Sequence, residues 1–420
     1  MGKYINVQLT DMAHGGEAIG RHEGKAIFVP YGIPGELVRV ELVQDKSRFA
    51  RARLLEVLAA SPQRVQPPCP HFGLCGGCHW QHVAYAAQLE YKRAIVRAQL
   101  QRIAGLSDPV VHPTLGMAEP WHYRNYVQFS VSDCEAPPKR SGGGSGQLGF
   151  MAANSHRVIP IEQCLLLHPL LAELFDALDI ELPGLLRLSL RAGVNTGDRM
   201  IIFEMGSDQP PELEVDLPVS CVLLMSDGTP VTLLGSPYVH EQVAGRTYRL
   251  SASSFFQVNT CQAEALIAQV SAYLNPSPDD TVLDAYCGVG TFALSLAAAA
   301  KQVIGIENNP AAIADAQFNT AGADNVSFVC GTVEEIVPTL EICSPLVVVD
   351  PPRTGLDKRA ISALVDLAPA RIVYVSCDPA TLARDVKGLL ASNYALREVQ
   401  PIDMFPQTYH IENVAILERS

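Results

Sequence analysis

No stretch of 18 or more residues runs apolar without a charge, so no membrane-spanning helix is expected. Residues 281–300 come closest, but Asp284 and two glycines interrupt them. The opening MGKYINVQL lacks the basic-then-apolar pattern of an export signal, so a cytoplasmic protein without membrane contact, and a monomer, is the expectation. No internal repeat is visible. Charged residues make up 18% of the chain and hydrophobic ones 48%, with 31 Gly and 30 Pro, a globular rather than a disordered composition. At 420 residues, two or three domains are expected in place of one core.

Positive charge is also in short supply. Lys and Arg number 31 against 44 Asp and Glu, a net of −13, which by itself argues against a nucleic-acid partner. The distribution reverses that reading. Residues 1–130 hold 14 Lys+Arg and 10 Asp+Glu, a net of +4, while the other 290 hold 17 and 34, a net of −17. A basic front module on an acidic body fits an RNA-binding protein; acidic loops that only keep the body soluble fit the second half as well. Eleven cysteines without an export signal point to reduced thiols, available for metal or catalysis rather than disulfides.

Along the chain, YINVQL, KAIFVPY, ELVRVELV and RARLLEVL read as short strands broken by HGGEAIG, GIPG and QDKSRF. They suit a small barrel of the oligonucleotide-binding type over residues 1–60. Lys46, Arg48, Arg51 and Arg53, with Phe49 among them, form a stripe that either tracks a phosphate backbone or is a solvated strand face. PQRVQPPCP (62–70) reads as a linker into a metal-site loop. Residues 84–105 form a helix closed by glycine. From about 120 to 250 strands dominate, giving a central β-rich domain over 61–250. SGGGSG (141–146), with Lys139 and Arg140 at its base, reads as a flexible hairpin tip. In 251–420 the strands TVLDAY, QVIGIE, VSFVC, LVVVD and RIVYVS alternate with apolar-faced helices, which predicts an α/β, doubly wound, Rossmann-like parallel sheet.

Three constellations carry chemistry. In VLDAYCGVGTFALSLA (282–297), Asp284 ends a strand and Gly288-x-Gly290 opens a turn, while Glu307 ends the next strand. The loose dinucleotide fingerprint Gly288-x-Gly290-x-x-Ala293 also allows a nicotinamide cofactor. Asp284 and the following Asp350-Pro351-Pro352-Arg353 instead favour S-adenosylmethionine, which carries a sulfonium and an ammonium but no phosphate. Second, Cys377 in SCDPATLARD sits where open α/β sheets bind ligands, and Glu412 precedes the last apolar strand. A buried structural cysteine is the plain alternative. Thiol plus carboxylate suits nucleophile and base, as C5 methylation of a pyrimidine requires. Third, Cys69, Cys75 and Cys78 are spaced C-x5-C-x2-C, with Cys164 the expected fourth ligand and Cys134 its rival. A four-cysteine iron–sulfur cluster is expected. Zinc is the alternative, although its sites more often pair two C-x2-C halves.

With CPHFGLCGGC, SCDPATLARD and DMFPQTYHIE together, the chain resembles the bacterial RNA uracil-C5 methyltransferases, above all the branch acting on 23S rRNA with an N-terminal TRAM barrel and an iron–sulfur cluster. The resemblance implies Cys377 as nucleophile and Glu412 as base. It implies Gln257, Tyr286, Glu307 and Asp350 as donor-binding positions, and Cys69, Cys75, Cys78 and Cys164 as ligands of a [4Fe-4S] cluster. It also implies that helix 84–105 packs on the catalytic domain of residues 251–420. Thr332 and Thr291 depart from the Asp or Asn usual in the family, so weaker donor contacts are expected. The acidic PELEVDLP (211–218) matches no family role. A tRNA uridine as substrate and a non-catalytic RNA-binding factor on the same scaffold remain the alternatives.

Overall fold

The computed structural model describes residues 3–131, 147–153, 155–179, 183–343 and 345–420. Cys134, Lys139, Arg140 and SGGGSG lie outside the described residues. Strict alternation in β1 (Tyr4–Met12) buries Ile5, Val7 and Leu9 and leaves Tyr4, Asn6 and Gln8 in solvent. With β2 (Ala18–His22), β3 (Lys25–Val29), β4 (Leu37–Asp45) and β5 (Phe49–Ala59) it closes a barrel in the order β1-β2-β3-β5-β4. Strand β2 begins inside the expected turn HGGEAIG (14–20) and runs on to His22. Gly20 makes this possible, because a Cβ there would sit 2.4 Å from the Gln8 carbonyl oxygen. The basic stripe is partly spent within the barrel, since Arg51 pairs with Glu17 and Arg53 with Glu41.

Helix α1 (Tyr85–Gln99) runs on into a π-helical turn, Leu100–Ala104, and stops at Gly105, whose φ of +77° ends it. The central sheet comprises β6 (Tyr126–Val131), β7 (Leu148–Met151), β8 (Val158–Pro160), β9 (Leu185–Ala192), β10 (Arg199–Met205), β11 (Ser220–Leu224) and β12 (Pro230–Leu234). Its order is β12-β11-β10-β9-β6-β7-β8. Helix α2 (Pro169–Ala177) covers it, with Phe129 stacked between Phe150 and Phe175. The acidic segment 211–218 has a structural reading. Leu213, Val215 and Leu217 pack on this core while Glu212, Glu214 and Asp216 alternate into solvent. The hairpin β13 (Tyr238–Val243) and β14 (Arg246–Ser251) follows.

The C-terminal part contains α3 (Thr260–Leu274), β15 (Thr281–Ala285), α4 (Thr291–Leu296), β16 (Gln302–Glu307), α5 (Pro310–Asn319), β17 (Val326–Cys330) and α6 (Val333–Ile336). After these come β18 (Leu346–Val349), α7 (Lys358–Leu367), β19 (Arg371–Ser376), α8 (Pro379–Leu390), β20 (Tyr394–Ile402) and β21 (Glu412–Arg419). The strand order is β17-β16-β15-β18-β19-β21-β20. The first five strands are parallel, as expected, but β21 runs antiparallel to β19 and β20. Its connection from β20, residues 403–411, is shorter than the roughly dozen residues a parallel crossover takes. Alternate residues face opposite cores. Val282, Val303, Val348 and Val373 meet α3, whereas Leu283, Ile304, Val347 and Ile372 meet α1, α7 and α8.

Helix α1 therefore covers the C-terminal sheet although it lies far away in sequence. Its fully buried Lys92 pairs with the equally buried Asp403, donates to the Phe405 carbonyl, and lies 5.8 Å from the Trp80 ring centroid. Tyr85 donates to Asp403 as well, at 2.8 Å. These bonds anchor the start of the connection that leads to Glu412. Lys92→Met leaves the buried Asp403 without its cation and with the Tyr85 hydroxyl still bonded to it, so chemical denaturation is expected to show a loss of about 3–5 kcal/mol. Adding Asp403→Leu is expected to recover part of it.

Candidate active site

The sheet order reverses between β15 and β18, and the crevice beyond their carboxyl ends opens into a cavity of about 690 Å³. Gln257, Tyr286, Glu307, Asp350, Cys377 and Glu412 all line it. Tyr286 leaves β15 at φ +73°, and Gly288 and Gly290 follow at +54° and +89°, the left-handed region that glycine enters without cost. The Glu307 carboxylate accepts the amides of Gly288 (3.1 Å) and Asn309 (2.8 Å), and Asp284 accepts that of Ala293 (2.8 Å). The amides that a pyrophosphate would need at this turn thus already face carboxylates. That geometry disfavours the nicotinamide alternative and suits a cationic nucleoside. Thr291 lines the cavity; Thr332 stands at the N-cap of α6, its buried hydroxyl without a hydrogen-bond partner among the described residues.

Asp284 is wholly buried, and its Oδ1 has no hydrogen-bond partner among the described residues. Burial, reinforced by the charge of Glu307, pushes its carboxyl up to about 7 against the pull of the Ala293 amide. At about pH 6 this carboxyl is largely protonated, and a cationic ligand favours its ionised form. S-adenosylmethionine binding is therefore expected to release protons, with affinity rising from about pH 5.5 to 7.5. S-adenosylhomocysteine, which lacks the sulfonium charge, is expected to release fewer. Calorimetry in two buffers of different ionisation heat reads the difference.

Cys377 follows β19 directly. Asp378 caps α8, its Oδ1 accepting the amides of Ala380 (2.8 Å) and Thr381 (2.9 Å), and Pro379 fixes the first helical residue. The Ser376 hydroxyl bonds the Asp378 backbone on both sides. The motif thus freezes the turn around the thiol. In the antiparallel pair Ser376 stands opposite Asn413, so the register brings Cys377 and Glu412 to neighbouring strand ends. Burial, then the charge of Glu412, pushes the Cys377 thiol up to about 12, while Arg353 pulls it down. Burial and then Asp350 hold the Glu412 carboxyl well above its usual range. Asp350 is raised by burial and by Asp284. Burial and mutual repulsion thus raise all three carboxyls, Asp284, Asp350 and Glu412, and a positive charge placed among them would favour their ionised forms.

The barrel reaches this turn. His14 Nε2 lies 3.2 Å from Asp378 Oδ2, and the Gly16 carbonyl accepts Trp80 Nε1–H at 3.1 Å. A Cβ on Gly16 would collide with the Tyr409 ring at 2.8 Å. Burial would raise the Asp378 carboxyl, but His14 and the two capping amides hold it at about 2. Sequence reasoning had no signal for His14, and it left Arg353, Arg124 and His410 without a site role. All three line the cavity.

Cys69, Cys75, Cys78 and Cys164 wall a separate cavity of about 310 Å³, of which Arg124 is also part. Cys75 bridges to Ala152 beside β7, and the Gly76 amide donates to the Met151 carbonyl, tying the cysteine loop to the central sheet. Among the described residues no three His, Cys, Asp or Glu side chains converge closely enough for one metal ion.

Known proteins match this architecture. Residues 226–420 match the family described as tRNA (Uracil-5-)-methyltransferase, and residues 1–55 match the TRAM domain. An uncharacterized RNA methyltransferase of Halalkalibacterium halodurans is 37% identical, over 99% of this chain and 96% of the relative. The chain belongs to the RNA uracil-5-methyltransferase family. Another such relative, from Thermosynechococcus vestitus, is 36% identical over 100% of this chain and 99% of its own. A solved tRNA (uracil-54, C5)-methyltransferase of Pyrococcus abyssi, in complex with S-adenosyl-L-homocysteine, is 27% identical with a TM-score of 0.75. The match covers 98% of this chain and 100% of that one. The protein is thus an S-adenosylmethionine-dependent RNA methyltransferase with an N-terminal TRAM barrel. No helix among its described residues is long and apolar enough to cross a membrane.

Proposed function

We propose that this methyltransferase acts at C5 of a uridine in 23S rRNA, through a bond between Cys377 and C6 of the ring. The observation that carries the reading is the pairing of Cys377 and Glu412 on adjacent strand ends, inside the cavity that also holds Gln257, Tyr286, Glu307 and Asp350. C5 of uracil is a poor nucleophile. The Cys377 thiolate adds to C6, and the π electrons of the C5–C6 bond pass to C5 and O4. When bound, the donor supplies a sulfonium methyl to C5. Glu412 then removes the C5 proton, the double bond re-forms, and the sulfur–C6 bond breaks. The base must leave its stack to reach the thiol. Gln257, Tyr286, Glu307 and Asp350 are assigned to the donor, Glu307 to its ribose hydroxyls. The positive charge they gather lowers the cost of ionising Cys377 beside Glu412.

The four cysteines are assigned to a [4Fe-4S] cluster. What supports the assignment is that all four line one cavity of about 310 Å³; zinc is the alternative occupant. Methyl transfer needs no electron, so the cluster would hold the loop and the RNA in place. The domain limits 1–60, 61–250 and 251–420 belong to the same reading, with α1 assigned to the catalytic unit. The Pyrococcus abyssi likeness favours a second substrate, a tRNA uridine. Label transfer from S-adenosylmethionine to purified 23S rRNA and tRNA separates the two. Methylation of tRNA alone would refute the ribosomal assignment.

A further inference from the structure

His410 precedes Glu412 by two residues. Both line the cavity, and Ile411 between them is buried in the opposite core. The two side chains therefore share one face of the extended chain. Arg353 donates to His410 Nδ1 at 2.9 Å. That bond leaves Nδ1 without a hydrogen and puts the proton of the neutral ring on Nε2. Nε2 has no partner among the described residues. Burial, then the charge of Arg353, holds the imidazole down at about 3, so it stays neutral. Tyr409 and Phe405 clamp the ring at centroid distances of 4.4 and 5.8 Å. The side chain is a fixed, neutral N–H donor on the wall next to the base.

The uracil ring orders what must surround it. C6 faces the thiol, C5 faces the carboxyl, and C4 with its oxygen comes next. Addition of the thiolate to C6 moves an electron pair through C5 onto O4, so negative charge develops on that oxygen. We propose that His410 donates its Nε2–H to O4 of the target pyrimidine, stabilising the enolate and selecting uracil over cytosine. Cytosine presents amino hydrogens at that position and would meet the imidazole donor to donor. The Arg353 bond at Nδ1 makes the opposite N–H a stronger donor without giving the ring a proton to lose. This assignment rests on Cys377 as nucleophile and Glu412 as base.

The test compares oxygen with sulfur at position 4. Transcripts of 23S rRNA and of tRNA are made with uridine or with 4-thiouridine, whose sulfur is a weak acceptor. Single-turnover rates are measured on the transcript that the wild-type enzyme methylates. His410→Ala is expected to slow the uridine reaction about 10²-fold. It is also expected to change the uridine-to-4-thiouridine rate ratio about 10-fold or more, because it has lost the group that senses the oxygen. His410→Asn keeps an N–H and is expected to recover part of both. An unchanged ratio in both variants overturns the inference, since the ratio is independent of the folded fraction. Cys377→Ala in the same assay separates the two failures. If it is inactive while both His410 variants keep the wild-type ratio, only the His410 assignment fails. If it methylates at the wild-type rate, the reading beneath the assignment fails too.

Discussion

Cys377→Ala is expected to slow RNA methylation about 10⁴-fold while leaving S-adenosylhomocysteine affinity unchanged. The first half follows from chemistry. Without a sulfur at C6, C5 stays electron-poor, and neither Glu412 nor the bound donor corrects that. The second half follows from geometry. The donor positions Gln257, Tyr286, Glu307 and Asp350 come from other segments, and the thiol makes no hydrogen bond that shapes them. Calorimetry with S-adenosylhomocysteine, beside label transfer to RNA, reads both halves on one preparation. A variant that lost both activities together would point instead to a thiol needed for folding.

Glu412→Gln is expected to separate the two bonds made at the ring. Cys377 still adds to C6, but nothing removes the C5 proton, so the sulfur cannot leave. Turnover is expected to fall about 10²–10⁴-fold. An RNA–protein species carrying the new methyl group should survive denaturing electrophoresis on ordinary uridine RNA. The amide keeps the shape of the side chain and removes a carboxyl whose burial and neighbour Asp350 hold it well above the usual range. The same species should be absent from the double variant with Cys377→Ala. Free methylated RNA released at the wild-type rate would move the base to another group.

Much of this site was readable in the sequence because its residues sit at places that topology alone makes special. Glu307 ends a strand, Asp350 and Cys377 immediately follow one, and Gly288 and Gly290 mark a turn. Ligands gather at such places whatever the chemistry. The antiparallel direction of β21 was not readable, because an apolar strand buried on both faces looks the same in either direction; only the short 403–411 connection decides it. Strand β2 was hidden by a glycine that close pairing requires rather than forbids. His14 and Lys92 lie in segments remote from the catalytic motifs, and only folding brings them to Asp378 and Asp403. The acidic segment 211–218 looked unexplained by family because its role is to cover a core with alternate residues.

The most direct test of the central claim is peptide mapping after incubation of the enzyme with S-adenosylmethionine and 5-fluorouridine-substituted RNA. Fluorine at C5 cannot leave as a proton does, so the adduct persists. The expected result is a nucleotide mass on the peptide containing Ser376-Cys377-Asp378, absent in Cys377→Ala. A modification on any other residue, or full methylation of uridine RNA with no adduct on the fluorinated RNA, would contradict the account.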